Sequence, residues 1–332
     1  MVNYLKSLIG KKKDWKKHMK NTFKQELYYM FHSKLIVIFL SITTLLVFLG
    51  ALQAINLQKS SVVQFEQTKS IYKNKTDFLK DLRKNYTESN ITDEETNINT
   101  EINNSARYSY DYVQKSNYQL TSTGFPLFIM KYLGLIFLPL VMGILGILLS
   151  TTDYKYGTYK RRLSTNSWKE IIVGKILGLS NVILGLYFYI LILSMVVGVI
   201  LPNFAQYIDL KQYNIESITP SFSSGFTLIL CVLVLVLITG ILSFLISLSI
   251  KSLFVSLIGF LVYYLAIPNL GKYDYKNVVM NIFSTASKEV LGQPIPYIPL
   301  DIKVSIILVI IYVALVSTGA LIIFNKYTKY SM

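Results

Sequence analysis

The sequence is poor in the side chains that most often bind metals. It has a single cysteine, Cys231, inside an apolar run, and two histidines, His18 and His32, in its basic N-terminal stretch. One cysteine excludes an intramolecular disulfide and a zinc–cysteine cluster, and the wide spacing of the histidines excludes an H-E-x-x-H site. The sequence therefore excludes disulfide scaffolds and the common zinc enzymes.

The chain also lacks the glycine-rich loop with which many proteins bind nucleotide phosphates. The pair Gly174-Lys175 is followed by Ile176, and the pattern G-x-x-x-x-G-K-[ST] does not occur. Nor does any apolar run contain paired carboxylates or a histidine dyad. We predict that the chain is not an enzyme, binds no cofactor itself, and depends on another protein for any ATP hydrolysis.

Charged residues are scarce, at 15% of 332 residues, whereas 52% are hydrophobic. The net charge of +15 would suit a nucleic-acid binder. Such a protein, however, carries its lysines on a folded polar surface and not between apolar runs of about twenty residues. The composition therefore favours an integral membrane protein. Its abundance of lysine, asparagine, isoleucine and tyrosine is typical of an AT-rich bacterial genome.

Apolar runs predict an all-α integral membrane protein with six transmembrane helices. The fifth run is short, and only Lys251-Ser252 separates it from the fourth, which predicts a tight hairpin. The first run lacks a clear small-residue cleavage site, which indicates a membrane span and not a signal peptide. The predicted six-span domain occupies residues 35–332, with spans at 35–56, 126–150, 171–201, 226–250, 253–270 and 302–324.

Basic residues indicate the orientation of the spans, because cytoplasmic flanks are enriched in lysine and arginine. Segment 1–34 has nine lysines and segment 151–175 has six basic residues, whereas loop 57–125 has nine basic and nine acidic residues. We predict a multi-pass protein of a bacterial plasma membrane. Both termini lie in the cytoplasm, and loop 57–125 is an extracellular insertion.

Segment 1–34 is predicted to contain an amphipathic helix in the membrane interface. Apolar residues recur at four-residue steps, and several lysines lie off this stripe. Two interpretations remain open: a polybasic anchor that only orients the chain, or an elbow helix that contacts a cytoplasmic partner. The stripe consists of Trp15, Met19, Phe23, Leu27 and Phe31.

Two further segments lie outside the predicted spans. Loop 57–125 has sparse hydrophobic residues around a stretch, 85–105, that is rich in Asn, Thr, Ser and Glu. This pattern predicts two helical arms joined by a flexible tip. Segment 271–301 has an apolar patch followed by three prolines. It predicts a partly re-entrant or interfacial helix with a rigid proline turn, and an ordinary exposed loop is the alternative.

One polar segment, "DYKYGTYKRRLSTNSW" at residues 153–168, lies between two long apolar runs. Asp153 is placed to cap a short helix at its positive end, and Arg161 and Arg162 fall near the negative end. Gly157 would let a neighbouring backbone approach closely. The alternative interpretation is a positive-inside loop of otherwise arbitrary content.

The order of these residues resembles the coupling segment of ABC-2-type transporter permeases. It has an acidic residue, glycine four positions later, threonine, a basic pair and Leu-Ser, and the next span opens with I-I-x-G-K at 171–175. The pattern K-x-E-L at 24–27, followed by F-x-S-K at 31–34, is similar to the elbow before the first span of these permeases. The six-span layout is similar too, so the resemblance covers nearly the whole chain.

The resemblance implies the membrane subunit of a two-component exporter, similar to bacterial peptide, bacteriocin-immunity and antibiotic-resistance exporters. Two permease subunits, identical or related, would pair in membrane lipid. Two copies of a cytoplasmic ABC ATPase, which would bind ATP and Mg²⁺, would drive export of an amphipathic or hydrophobic cargo. The implied ATPase-coupling residues are Asp153, Tyr156, Gly157, Thr158, Arg161, Arg162, Leu163 and Ser164, and the implied elbow contacts are Lys24, Glu26, Leu27 and Phe31.

A non-transporting membrane sensor that uses loop 57–125 is the alternative function. Three residues inside the spans are candidates for the pathway or for gating. Lys131 either reaches the outer headgroups or lines the pathway, and Asn181 either bridges helices or faces the cargo. Pro139, with nearby glycines, either packs the core or permits a gating motion. In addition, the spacing of Gly174 and Gly178 predicts a helix contact.

Overall fold

The computed structural model describes residues 20–92, 98–158, 162, 164, 167–206, 208–215, 220–290 and 297–329. The chain is mainly helical. Its helices are α1 (20–32), α2 (Leu35–Ile71), α3 (Lys75–Leu82), α4 (Ser105–Tyr118), α5 (Gly124–Gly134), α6 (Phe137–Lys155), α7 (Trp168–Ile200), α8 (Phe222–Ile250), α9 (Leu253–Leu261), α10 (Tyr275–Ala286) and α11 (Ile302–Lys329), and its strands are β1 (Glu88–Thr92) and β2 (Ile98–Ile102).

Five helices are long and apolar enough to cross a membrane. They are α2, α6, α7 with the 3₁₀ turn that follows it, α8, and the first 21 residues of α11. The predicted fifth span, 253–270, is the exception. Its helix, α9, has nine residues and continues into a five-residue π-turn, Val262–Ala266. These rise at most about 21 Å, less than the roughly 30 Å of a bilayer core. Five of the six predicted spans thus overlap helices long and apolar enough to cross a membrane, and the prediction of six spans is not confirmed.

α9 and α10 together lead the chain from one end of the bundle to the other. Lys251, which follows α8, places its ammonium 6.0 Å from the ring centre of Tyr154 near the end of α6. Beyond α10, the Glu289 carboxylate accepts hydrogen bonds from the N–H and the hydroxyl of Ser221, at 2.8 and 3.1 Å. Lys251 and Ser221 flank opposite ends of α8. We call the end with Lys251 the inner end, and the end with Ser221 the outer end.

The helix predicted within 271–301 is present as α10. Its Val278 and Phe283 side chains are buried, and Phe283 belongs to the main apolar core. The side chain of Asn277 accepts a hydrogen bond from the N–H of Ile298 (2.7 Å) and donates one to its carbonyl (3.0 Å). α10 is therefore packed into the bundle and is not an exposed loop. The proline turn at 291–296 lies outside the described residues.

The predicted second span, 126–150, is broken in two. α5 ends at Gly134, and α6 begins two residues before Pro139. Proline has no N–H, and its ring clashes with the carbonyl four residues earlier, which here is the carbonyl of Leu135. The Tyr264 hydroxyl, from the π-turn, donates to that carbonyl at 2.8 Å. Pro139 thus breaks the helix, as predicted, and the Tyr264 hydroxyl satisfies the Leu135 carbonyl that the break leaves without a helical partner.

The glycines of the broken span are packing positions, as the core-packing interpretation predicts. A Cβ at Gly143 would lie 2.2 Å from the Phe260 ring, and one at Gly146 would lie 2.3 Å from the carbonyl oxygen of Gly240. Any side chain larger than hydrogen would push α9 or α8 away from α6. These contacts build the apolar core, to which α2, α5, α6, α7 and α8 contribute most.

α2 does not stop at the predicted boundary, residue 56. It is 37 residues long in all, and its part beyond residue 56, 57–71, lies in the outer insertion. There it packs with α3, α4 and the segment 208–215 around a second apolar core. Four aromatic rings form its centre, with centroids 5.8 to 6.0 Å apart. We call this group the outer aromatic cluster; its buried members are Val62, Phe65, Phe78, Leu82, Ala106, Tyr110, Val113 and Tyr213.

The tip of the insertion contains the one departure from the predicted all-α fold in the described chain. β1 and β2 pair antiparallel, with Glu88 opposite Ile102 and Thr92 opposite Ile98. The two helical arms are confirmed, whereas the tip between them includes paired strands. Residues 93–97, to which the prediction of flexibility also applied, lie outside the described residues.

Candidate functional site

The polar segment 153–168 begins inside α6, whose end is a Schellman motif. The Thr158 N–H donates to the Asp153 carbonyl (3.0 Å), and the Gly157 N–H donates to the Tyr154 carbonyl (3.3 Å). Gly157 has φ +63°, a left-handed conformation that glycine adopts without strain. One prediction is corrected: Asp153 lies within α6 and caps no new helix. Gly157 serves the turn, and no atom of the described chain lies within 4 Å of its Cβ position, so its close approach to another protein stays a prediction.

The buried Asp153 carboxylate has three partners at the inner end. The Thr158 hydroxyl donates to Oδ1 at 2.9 Å, Arg162 Nη1 donates to Oδ2 at 2.9 Å, and Lys175 Nζ lies 3.1 Å from Oδ2. Arg162 follows α6 along the chain, and Lys175 belongs to α7. One carboxylate thus joins α6, the segment that follows it, and α7.

A second carboxylate, Glu26 of α1, completes this group. Glu26 and Lys175 are each 2% exposed. Glu26 forms an ion pair with Arg162 and lies 3.8 Å from Lys175 Nζ, which also donates to the Leu149 carbonyl at 3.1 Å. We call the four side chains Glu26, Asp153, Arg162 and Lys175 the inner charge cluster.

Two carboxylates and two cations make the inner charge cluster formally neutral. Burial alone would lower the pKa of Arg162, but Glu26 and Asp153 outweigh it and raise the pKa above its usual value, so the guanidinium stays charged. Desolvation cancels much of the attraction between buried ions, whereas removal of one partner costs about 3–5 kcal/mol. The cluster therefore specifies how its elements fit together more than it adds net stability.

Close packing of α1 on α7 brings Glu26 to the cluster. A Cβ at Gly174 would lie 2.7 Å from Thr22 Cγ2, and one at Gly178 would lie 3.3 Å from Glu26 Cβ. Thr22, Glu26 and Met30 form the buried face of α1 and recur every four residues, as one face of a helix requires. The helix contact predicted from Gly174 and Gly178 is confirmed, and its partner is α1.

The other end of the polar segment is also fixed. Ser167 and Glu170 form a capping box at the start of α7: the Glu170 N–H donates to Ser167 Oγ (3.4 Å), and the Ser167 N–H donates to Glu170 Oε2 (2.9 Å). This arrangement satisfies two backbone donors that a helix start leaves unpaired. The segment is therefore held between a glycine turn and a capped helix.

The sequence model of a family described as ABC-2 family transporter protein matches residues 21–326, which include all four members of the charge cluster. The chain belongs to this family. No curated protein matches the chain, and no solved structure does.

ABC-2 family members are membrane transport subunits that typically lack an ATPase site of their own and generally work with a cytoplasmic ABC ATPase. The long apolar helices of this member agree with a multi-pass membrane protein. Across the described ranges, no three His, Cys, Asp or Glu side chains come together in a group that could hold a metal ion.

The residues predicted to couple this ABC-2 permease to an ATPase fall into a buried and an exposed set. Asp153 and Arg162 belong to the inner charge cluster, so their charged groups face partners within the chain. The exposed set consists of Tyr156, Gly157, Thr158 and Ser164, and the other two predicted residues, Arg161 and Leu163, lie outside the described residues.

The four predicted elbow contacts also differ in exposure. Lys24 is exposed, Phe31 is 64% exposed and Leu27 is half-buried. The prediction for Glu26 is corrected, because its carboxylate is buried against Arg162 and is not presented to a partner. Of the predicted apolar stripe, Phe23 is half-buried, and Trp15 and Met19 lie outside the described residues.

Lys175 is the residue of this site that the sequence analysis missed. It is the eighth residue of α7 and lies in an apolar run. A lysine in such a place needs a carboxylate or carbonyl partner, and that need was the available signal. Its partners were not readable, because Glu26 is far away in the sequence and local spacing says nothing about it.

The remaining candidates lie away from the inner end. Lys131 donates to the Ser287 carbonyl (3.2 Å) and to the Val290 carbonyl, on either side of Glu289 at the outer end. Its contact with headgroups or with the pathway stays a prediction. Asn181 donates to the Leu177 carbonyl of its own helix and is exposed. It therefore does not bridge helices among the described residues, and its contact with a cargo stays a prediction.

Proposed function

We propose that this chain is the permease subunit of an ATP-driven exporter that moves an amphipathic or hydrophobic cargo, such as a peptide, an antimicrobial or a lipid-like molecule, out of the cell or membrane. A separate cytoplasmic ATPase, which binds ATP and Mg²⁺, docks on residues 153–168. The complex holds two ATPase copies and two permease subunits, identical or related. It lies in a bacterial plasma membrane, with both permease termini in the cytoplasm. Membership of the ABC-2 family supports this proposal.

The inner charge cluster is the observation that carries it. A docking segment must pass displacement to the helices that cross the membrane, and a loose loop would absorb that displacement instead. Here Arg162, in the segment, contacts carboxylates from α1 and α6, and those carboxylates contact Lys175 of α7. Separation of these ions would leave charges buried without partners. The segment and three helices therefore move together.

The exposed part of the segment supports a docking role. Tyr156 is 68% exposed at the end of α6. An exposed tyrosine offers a large apolar surface and a polar tip, and tyrosine is enriched at residues that dominate the binding energy of interfaces. The empty space around the Gly157 Cβ position leaves room for a partner's side chains beside it.

The proposal is tested with Tyr156→Glu in the full chain, co-expressed with its cytoplasmic ABC ATPase. We expect co-purification of the ATPase to fall by about tenfold or more, because an interface anchor is lost and a charge is introduced. Stimulation of ATP hydrolysis by the permease in nanodiscs should fall in parallel.

Phe222→Glu is the matched control. Phe222 is 90% exposed at the outer end, so the same kind of substitution should leave ATPase binding unchanged. If Tyr156→Glu and the wild type bind the ATPase equally and stimulate hydrolysis equally, the joint to the ATPase lies elsewhere, and the role assigned to 153–168 is wrong.

A non-transporting sensor is the second candidate function, and the outer aromatic cluster favours it, because the insertion has a packed core of its own. A sensor would not need the polar segment for ATP-dependent transport. If a substitution at Phe65 disrupts the outer aromatic cluster and the chain still couples normally to the ATPase, the exporter function is supported. Loss of an extracellular ligand response with no ATPase partner at all would support the sensor.

A further inference from the structure

A polar turn, residues 267–274, separates α9 from α10. Seen from the inner end, the turn comes after the nine residues of α9 and the five of the π-turn. These begin next to Lys251 and rise at most about 21 Å. Since a bilayer core is about 30 Å thick, the turn lies short of the outer surface.

A contact with α11 gives the depth of the turn from the other side. The Tyr312 hydroxyl donates to the carbonyl of Tyr273, at 2.5 Å. Tyr312 lies ten residues, or about 15 Å, along α11 from its first residue, Ile302. Because helical side chains lean toward the helix N-terminus, the Tyr273 carbonyl lies somewhat nearer the outer end than Tyr312 does. With Lys251 and Ile302 at the two surfaces of the membrane, both measures place the turn inside the hydrocarbon layer.

Most polar groups of the turn are satisfied within it. The Asp274 carboxylate accepts from the Leu270 N–H at 3.1 Å. Asn269 donates to the Asn277 side chain at 2.9 Å. Lys276 donates to the Tyr264 carbonyl (3.3 Å) and to the Ile267 carbonyl. The turn is thus an ordered structure in which each of these polar groups has a partner.

Lys272 differs from these residues. Its side chain is exposed, and no carboxylate in the described parts of the chain comes within 4.0 Å of its ammonium. The nearest aromatic contact is the ring of its neighbour, Tyr273, with the ammonium 6.0 Å from the centroid. Leu270 and Tyr273 flank it and are 74% and 59% exposed.

Lipid is a poor environment for this ammonium. A lysine facing hydrocarbon at mid-depth is costly, and such residues in membrane proteins almost always face a water-filled cavity or a partner charge. Reaching the interface would take more than the roughly 6 Å of a lysine stem. Apolar surface beside an exposed ammonium is the chemistry that an amphipathic molecule with an anionic group would match.

We propose that Lys272 lines the cargo pathway and binds the anionic group, a phosphate or a carboxylate, of an amphipathic cargo, whose apolar part lies against Leu270 and Tyr273. This inference rests on the proposed function and narrows its substrate class to anionic amphiphiles. The ammonium of Lys272 explains recognition of an anion, because a hydrogen bond between two charged groups is about twice as strong as one between neutral groups.

The first test measures whether water reaches the side chain at position 272. In a Cys231→Ser background, Lys272→Cys is treated in intact cells with a membrane-impermeant, negatively charged methanethiosulfonate. Ile310→Cys is the control, because Ile310 is 63% exposed on α11 at a similar depth. We expect Lys272→Cys to label and Ile310→Cys to remain unlabelled. If Lys272→Cys is unreactive, or forms a disulfide between two copies in place of labelling, the pathway role is wrong.

The second test measures anion binding to the purified full chain in phosphatidylcholine nanodiscs, with empty nanodiscs subtracted. The probes are octyl phosphate, octanoate, inorganic phosphate and octyltrimethylammonium. Lys272→Gln should weaken binding of the two octyl anions by about tenfold, and Lys272→Arg should retain it. Lys288→Gln, at an exposed lysine after α10, should change nothing.

The probes also separate the sources of the anion. A preference for octyl phosphate indicates a lipid-like phosphate, and a preference for octanoate indicates a carboxylate such as that of a peptide. Equal affinity of the wild type and Lys272→Gln for both octyl anions overturns the proposal, as does binding of inorganic phosphate as tight as that of octyl phosphate. Neither test involves the ATPase, so their failure is distinguishable from failure of the proposed function.

Discussion

The inner charge cluster and the outer aromatic cluster do similar mechanical work with different chemistry. Each joins segments that are distant in the sequence: α1, α6 and α7 at the inner end, and α2, α3, α4 and 208–215 at the outer end. The inner group uses four matched charges. The outer group uses rings packed edge to face, at 5.8 to 6.0 Å between centroids.

This difference predicts how much each cluster is destabilised by substitution. Removing one partner of a buried ion pair is strongly destabilising, because it leaves the other charge desolvated and unpaired. Aromatic and aliphatic groups of similar volume substitute for one another at a small cost. We therefore expect a substitution in the inner charge cluster to cost more free energy of unfolding than a substitution of similar size in the outer aromatic cluster.

Lys175→Met should give the largest effect. Methionine fills similar space in α7 but leaves Asp153 and Glu26 buried with a single cation. We expect the free energy of unfolding to fall by about 3–5 kcal/mol, as measured by SDS titration in dodecyl maltoside. Lys169→Met, at an exposed lysine of the same helix, is the control and should change little.

Restoring the charge balance sharpens this result. Glu26→Gln added to Lys175→Met leaves one carboxylate with one guanidinium, so the double variant should recover part of the loss. A double variant that is as unstable as the sum of the two single variants would contradict the account of the cluster as a matched set.

Phe65→Leu in the outer aromatic cluster should have a medium effect. Leucine keeps an apolar group of smaller volume but loses ring contacts to Phe78, Tyr110 and Tyr213. We expect a loss of about 1–2 kcal/mol, seen as faster amide hydrogen exchange in α3 and α4, while the inner end is unchanged. Val63→Ala, at a position 45% exposed on the same helix, should leave exchange as it is.

Glu289→Gln should have the smallest effect. The N–H and hydroxyl of Ser221 and the hydroxyl of Ser224 hold the pKa of Glu289 below its usual value, so its contribution is present above the unfolded-state pKa and disappears as the pH falls through the folded-state value. Because the carboxylate is exposed, we expect a loss of only a few tenths of a kcal/mol at neutral pH. Wild type and Glu289→Gln should converge in melting temperature under acid conditions. A gap that persists there would contradict this view.

Much of the fold could be predicted from local patterns. Apolar runs located five spanning helices, and Pro139 marked the break in the second predicted span. The fifth run is a short α-helix that continues into a π-turn. Its short length had already made it the least certain of the six predicted spans. Segment 153–168 was located from its charge and glycine, and the structure shows that Gly157 also forms the turn at the end of α6.

The rest depended on contacts between residues far apart in the sequence. Nothing near Glu26 or Lys175 shows that they share a site, because their meeting requires α1 to pack on the glycine face of α7. The strands at 88–102 were missed for the same kind of reason. An Asn- and Thr-rich stretch becomes a hairpin only through pairing across the turn.

The unbroken length of α2 has a consequence for how motion spreads through the molecule. It is one helix of 37 residues, about 55 Å long, that starts just after Lys34, which has φ +60°, and carries Phe65 near its far end. A stiff rod pivoted at one end magnifies angle into distance: a tilt of about 10° at Leu35 would carry Ile71 through about 10 Å, the diameter of a helix. A label on the outer insertion would then report a rotation at the inner end that is too small to measure there directly.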